Sequence, residues 1–571
     1  MRHLIRNALI VPGDGETEPY AGDVLIENDR LARVGSVSPS EAAGADRVTE
    51  ADGKALAPGF VDMHNHGALG GTRLGEHGLP IACENALRGG VTRRICGVDG
   101  LSPAPVAPEQ RGDYAETLRS MDGDIGEPWP WSTMAEFQDW HRGRSVTDMG
   151  LYLGHSAVRR RVMGNEPRSA TPSELRAMEE VVRAEAPSTL GLSTGLIYSP
   201  AVFSDREELT GLLRAFNDIK PGAFFPHIRS ESDNILPALK EVLDVATDAA
   251  GSRSSRGGGA GGKGGAGPSE GGSRGGYCNE HTKIAGPDNL PKLPQVESML
   301  AAAADSIPTM ANMYPYAAGS TTGDGIIPPR FRAGRRDEYL ARLGEPATRR
   351  AIWEWIRGDR SSWDNFVAFC GGLDGIQIAG VKPGTSEQFL GKRLGDVARA
   401  AGAGDLGSFA AYDAVFDFFT ENKLDVTIIT HYGNEPAMEA FFKREDMAFC
   451  TDGLMPGPGQ KPHPRTIGAF PKALRMAREM GIPLRTIVHR MTGLPCRFLG
   501  LPSPVLREGA DASLVLFDQN SVGECNDYEN PFIPPQGIEG VWVHGVLMYA
   551  EGRFESPPEF QGRILRSETN D

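Results

Sequence analysis

The sequence contains no CxxC pair, no block of basic residues and no apolar run approaching the roughly 18 residues that a membrane span requires. Its seven cysteines, at 83, 96, 278, 370, 450, 496 and 525, are odd in number and lie in a chain of 571 residues. A chain of that length has no need of disulfide staples, so most of them are expected as buried thiols in a cytoplasmic protein. The apolar stretch within MRHLIRNALIVPGDGE is too short for a secretory leader. Lys and Arg number 59 against 75 Asp and Glu, a formal net charge of −16. Binding to a phosphate backbone draws its affinity from clustered Lys and Arg, which argues against nucleic acid as the main partner. Hydrophobic residues at 40% and charged residues at 23% are ordinary globular composition, and the length suits about four domains or one large barrel with attachments.

Composition breaks once, at 251–276, where 13 of 26 residues are Gly and no aliphatic side chain exceeds Ala. Such a stretch buries too little apolar surface to offset its ordering entropy and is expected as a flexible insertion. A phosphate-cradling loop would need GK followed by Ser or Thr, and here the Lys is followed by Gly. The two ends of the chain share short alternating runs (LIRNALIV, DVLIENDRLARVG, ASLVLFD, GVWVHGVLMYAEGRF), so residues 1–57 and 501–571 are expected to pair into one small β-sandwich. Between them, in 58–500, apolar runs alternate with helical stretches: GFVDMHNH, VTRRICGVD, MGLYLGH, TLGLSTGL, AFFPHIR, CNEHTK, TMANMYPY, VTIITH and MAFCTDG. That order implies parallel strands with crossover helices, an α/β chain built on a (β/α)8 TIM-like barrel. Nine candidates compete for eight places, so one belongs elsewhere. The Trp-rich RAIWEWIRGDRSSWDNF marks a helical insertion over about 325–412.

Several of these runs end in a residue able to bind a metal, and strand C-termini of such a barrel converge on one mouth. His64 and His66 stand at i and i+2, on one face of a strand. His227 ends AFFPH, His281 ends CNEH and Asp452 ends MAFCTD. Four imidazoles and a carboxylate suit Zn2+ first, one ion or two, with other divalent transition metals also served by N and O donors.

The segment APGFVDMHNH resembles the first-strand signature of the amidohydrolase superfamily. VTRRICGVDGLSPAP, LGHSAVRRRVMG, LGLSTGLIYSP, PHIRSESDNILPAL, EHTKIAG, MYPYAAGST, CTDG, KPHPRTIGAFPKAL and GADASLVLFD resemble its N-acyl-D-amino-acid deacylase branch, in family order from about Leu56 to Phe517. The resemblance implies a β-sandwich from both termini, a catalytic barrel and a bridged metal centre. It assigns His64, His66 and Asp452 to one metal and His227 with His281 to the other. Better-known members carry a cysteine ligand at the end of strand two. Aligning Gly97 and Gly100-Leu101-Ser102-Pro103-Ala104-Pro105 on that pattern puts Asp99 there and favours it over Cys96. Residues three apart along a strand lie about 10 Å apart on opposite faces, so both cannot serve. Two further departures are Thr282 in place of a second His and Gly67-Ala68-Leu69 in place of acidic residues.

The resemblance further implies that Lys283, Tyr314, Ser320 and Arg465 hold the substrate, a small acylated amino acid or peptide-like molecule. Asp452 is the expected general base and acid, acting with water whose pKa the metal lowers towards about 7. His155 and His431 are candidates for a supporting shell, and His3, His77, His141, His489 and His544 are read as structural. The alternatives are a cyclic amide hydrolase or deaminase of the same superfamily and a non-catalytic metal-binding scaffold. The oligomeric state stays open, a homo-oligomer included.

Overall fold

The computed structural model describes residues 1–70, 72–251, 275–359, 362–455, 457, 459–555, 557 and 559–567. The glycine-rich insertion expected at 251–276 lies outside the described residues, except at its two ends. Both termini contribute to one nine-stranded sheet. Its order runs Arg553–Phe554, Val546–Ala550, Ile538–Val543, Leu514–Phe517, Ala55–Pro58, Arg2–Ile10, Tyr20–Glu27 and Arg30–Gly35, with Arg47–Glu50 also paired to Arg2–Ile10. Alternation explains why these segments pair. Ile5, Ala8, Ile10, Val24, Ile26, Leu56, Leu514, Leu516 and Trp542 form an apolar cluster of their own, while the alternate residues Ala57, Val515, Phe517, Val541 and Val543 join the main core on the other face.

The central strands read instead as near-continuous apolar runs, the pattern of parallel strands covered on both faces. β1 (Phe60–Asp62), β2 (Val91–Cys96) and β3 (Asp148–Leu151) form one parallel sheet. β4 (Leu153–Gly154), β5 (Gly191–Gly195), β6 (Ala223–His227), β7 (Tyr277–Asn279), β8 (Thr309–Met313) and β9 (Met447–Phe449) form another. The two sheets meet at both ends. Tyr152 alone separates β3 from β4, and Met63 donates its N–H to Phe449 O at 3.4 Å while Asn65 bridges Gly453. Helices such as Ile81–Arg88, Pro172–Glu185, Arg206–Ile219 and Leu293–Ala304 connect successive strands. Pro172–Glu185 begins where the sequence says it should. Thr171 and Glu174 form a capping box around Pro172 at the first helical position.

Of the nine candidate strands, Thr427–Thr430 is the one that leaves the parallel series. It pairs antiparallel with Gly319–Thr322 and with Ile376–Gly380 in a small separate sheet. The segment 325–412 is largely helical, with Arg336–Leu343, Pro346–Gly358 and Leu394–Ala400, but also supplies the strand Ile376–Gly380. Among the described residues no helix is long and apolar enough to cross a membrane.

The terminal sheet is tied to the parallel strands by a buried charge network. His544 binds Asp148 of β3 through Nε2 (2.8 Å) and Asp511 through Nδ1 (2.7 Å), with Arg563 on Asp511 at 3.2 Å and Arg93 near Asp148 at 3.8 Å. Burial opposes the imidazolium, yet Asp148 and Asp511 outweigh it and raise the pKa to about 9. A raised pKa stabilises the fold fully below the unfolded value near 6.5, and that stabilisation is lost as pH rises through about 9. His544→Gln should therefore lower the stability by about 2–3 kcal/mol near pH 6 and by much less near pH 10. Thermal melts of both proteins at the two pH values test this, and an equal loss at both would refute the charge assignment.

Candidate metal centre

β1 ends at Asp62, and the next residues place His64 and His66 side by side, with ring centroids 5.3 Å apart. Asp62 holds this segment. Its carboxylate accepts from Thr451 N at 2.8 Å, from Asn65 Nδ2 at 2.8 Å and from His64 N at 3.3 Å. Asp452 follows, and its N–H donates to His64 O at 2.8 Å. β6 ends in His227, and His281 lies just past β7 with its N–H on the Asn312 side chain at 2.7 Å. Asp99 lies beyond the end of β2, where a close approach of chains fixes it. A Cβ on Gly195 would stand 2.4 Å from Asp99 O, so glycine is required there.

Asp99 is the hub. Its oxygens face His281 Nε2 (3.3 Å), His66 Nε2 (3.5 Å), His227 Nδ1 (3.5 Å) and His64 Nε2 (3.6 Å). Asp452 Oδ1 lies 3.4 Å from His66 Nε2 and 3.8 Å from His64 Nε2. Three triads have all their ligand atoms within 4.8 Å of one another: His64, His66, Asp99; His64, His281, Asp452; and Asp99, His227, His281. Asp99, His281 and Asp452 adopt left-handed backbone (φ 52°, 32° and 46°). That conformation is costly for residues other than glycine and concentrates at functional sites. Cys96 belongs to none of the triads. Buried three residues earlier, it lies 3.9 Å from Asn65 Oδ1, and burial pushes its thiol up to about 12.

Outside the imidazoles stands a ring of carboxylates that sequence reasoning missed. Glu280 binds His64 Nδ1, Asp122 lies 3.7 Å from His66 Nδ1, and Glu231 lies 3.7 Å from His227 Nε2 and 3.0 Å from His281 Nδ1. Such outer partners orient metal-bound imidazoles and fix their tautomer. Two could have been found: Glu280 adjoins His281, and Glu231 stands four residues past His227. Asp122 has no such signal, because it arrives at the end of the helix Arg111–Asp122.

Five carboxylates facing imidazoles against the two cations Lys283 and Arg465 leave three negative charges over. Burial alone would raise Asp99, Asp452 and Glu231. Their neighbours prevail: His64 and His227 for Asp99, Arg465 for Asp452 and Lys283 for Glu231 hold each well below the carboxylate range. In return, against its burial, His66 rises well above an ordinary histidine through Asp122, Asp452 and Asp99. Such a site binds positive charge, as protons or as a cation that displaces them. His64 Nε2, His66 Nε2 and His227 Nδ1 are buried without a hydrogen-bond partner. Idle buried nitrogens converging on one carboxylate, with only N and O donors, fit a divalent transition metal.

The four residues assigned to substrate lie around this cluster. Lys283 Nζ contacts Glu231 Oε1 (2.6 Å) and His281 Nδ1 (2.8 Å). Arg465, 1% exposed, meets Asp452 Oδ2 at 2.9 Å and lies over the Tyr314 ring at 4.2 Å. Its Nη2 donates to Ser320 O at 3.3 Å, while the Ser320 hydroxyl donates to Ile428 O at 2.9 Å. His463 steadies Arg465 by accepting its N–H at 3.0 Å while meeting Ala318 O through the other ring nitrogen. His155 stands apart from the cluster, between Thr194 and Glu208. His431 pairs with Gln377 in the small sheet.

No family model matches the chain. The D-aminoacylase of Alcaligenes xylosoxydans xylosoxydans is 26% identical to it, over 97% of this chain and 95% of that protein. The N-acyl-D-glutamate deacylase of the same organism is 28% identical, over 99% and 97%. The crystal structure of an N-acyl-D-glutamate deacylase from Bordetella bronchiseptica, complexed with zinc and a phosphonate mimic of the tetrahedral intermediate, superposes with a TM-score of 0.74 at 23% identity, covering 99% of both chains. The chain is thus similar over nearly its whole length to N-acyl-D-amino-acid deacylases, and it shares the fold of the solved enzyme.

Proposed function

We propose that the protein is a metal-dependent amide hydrolase that removes the acyl group from N-acyl-D-amino acids or a related D-configured amide. The observation that carries this reading is the convergence of four imidazoles on Asp99 beside Asp452, with buried ring nitrogens left idle. The relatives that share the chain end to end are deacylases of N-acyl-D-amino acids. We also infer that the two parallel sheets close into one eight-stranded barrel over 58–500, β3 and β4 counting as one strand. Residues 1–57 and 501–571 would make a second, β-sandwich domain beside it.

His64, His66, Asp99, His227, His281 and Asp452 would hold the metal, Zn2+ by donor type and by the relative's zinc. A divalent cation there supplies a Lewis acid for the scissile carbonyl and acidifies water. Asp452 takes the proton from the attacking water and passes it to the leaving amine. Arg465 and Lys283 hold the α-carboxylate, Arg465 through paired N–H donors and Lys283 as a point charge. Tyr314 and Ser320 line that end of the site. A cytoplasmic setting agrees with the absence of any disulfide among the seven cysteines.

Metal analysis, combined with rates on matched D and L N-acyl-amino acids, tests the reading. A metal-loaded enzyme inactive on every one of them would end it. Arg465→Lys keeps the charge but loses the planar fork. It should lower kcat/KM for D substrates by about 1.5–3 kcal/mol and shrink the D/L ratio. An unchanged ratio would remove Arg465 from the substrate site.

A further inference from the structure

Arg94, Arg490 and Arg332 are buried with no carboxylate in ion-pair range among the described residues, but Arg94 and Arg490 spend their Nε and Nη groups on protein acceptors, whereas Arg332 leaves Nε idle. Arg332 is 8% exposed, donates from Nη2 to Ile197 O at 2.9 Å, and has a buried Nε with no hydrogen-bond partner. Among the described residues no carboxylate lies within 4.0 Å of its guanidinium. An isolated buried charge is expensive, and proteins keep one where something pairs with it.

Arg332 faces a cavity of about 110 Å³ that Arg160, Arg336, Tyr198, Tyr339 and Asp324 also line. Arg160 is already matched by Asp113 at 2.9 Å, and Asp324 accepts from the Thr322 hydroxyl at 2.6 Å. Three arginines against Asp113 and Asp324 leave one positive charge over. The Tyr339 hydroxyl is buried and unpartnered, a second idle donor in the same wall. The volume holds several waters, and so a carboxylate on a short stem.

The cavity adjoins the candidate centre. The Tyr198 ring lies edge-on to His227 with centroids 5.5 Å apart, and two other wall residues, Leu101 and Met121, stand two residues from Asp99 and next to Asp122.

We propose that this cavity takes a second carboxylate of the substrate, carried on the amino-acid side chain or at the far end of the acyl group. The proposal rests on the deacylase reading for the identity of the molecule, and on Arg332 for the charge. Two matched pairs separate the sources: N-acetyl-D-glutamate against N-acetyl-D-glutamine, and N-succinyl-D-leucine against N-butanoyl-D-leucine. In one pair the anionic member should be preferred in kcat/KM by about tenfold or more, the worth of a charge-assisted hydrogen bond. Arg332→Met should bring that ratio to near one, and Arg332→Lys should keep part of it. Calorimetric titration with succinate reads the site without turnover. Its affinity should fall about tenfold in Arg332→Met and by less in Arg336→Gln, a half-buried position that tolerates change. Equal kcat/KM within both pairs, or a succinate affinity indifferent to Arg332→Met and Arg336→Gln, overturns the proposal. Arg332-dependent succinate binding without turnover of any of the four compounds supports the subsite and overturns the deacylase reading instead.

Discussion

Asp452→Asn is expected to fold, to retain metal and to lose about 10²–10⁴-fold in kcat, the usual cost of removing a general base. The substitution is well suited to the test. Asp452 sits at φ 46°, a conformation that Asn tolerates better than any replacement except Gly, so the backbone beside His64 should stay in place. What changes is the proton acceptor and the partner of Arg465, whose Nη1 lies 2.9 Å from the carboxylate. Rates with an N-acetyl-D-amino acid, alongside metal content by mass spectrometry, decide it. Activity within tenfold of the parent would remove Asp452 from proton transfer.

Asp99→Ala should lose metal, and with it about 100-fold or more of activity, because four imidazoles face that one carboxylate. Cys96→Ala should keep metal and cost about 1 kcal/mol of packing, since its buried sulfur belongs to no ligand triad and meets Asn65 and Arg94 instead. The pair of variants is decisive in either direction. Metal lost from Cys96→Ala and kept in Asp99→Ala would reverse the choice of ligand.

The residues that end apolar runs were visible in the sequence because a buried parallel strand that stops at a site writes its stop as a polar side chain. His227 and Asp452 are such cases. The alignment of Asp99 was legible from the glycine and Ser-Pro spacing that follows it, and the structure puts Asp99, and not Cys96, against the imidazoles. Periodicity could not tell Thr427–Thr430 from a strand of the parallel series. A short buried β run looks the same whether its neighbours are parallel or antiparallel, and only the pairing with Gly319–Thr322 separates them. The outer carboxylates were harder still, since Asp122 reaches His66 only through the packing of a helix end. Arg332 carried no signal at all, because an unmatched charge is defined by what is absent around it in space.

The sheet shared by the two ends of the chain has a consequence for synthesis. Ala55–Pro58 is sandwiched between Arg2–Ile10 and Leu514–Phe517, so its second neighbour is made some 456 residues later. At about 5–20 residues per second, the ribosome leaves that edge open for roughly 20–90 s. Throughout that interval a row of unpaired amides and carbonyls on an apolar strand is exposed to other nascent chains. Yield from a heterologous host should therefore respond to slower translation and to chaperone supply more than to any change at the metal ligands.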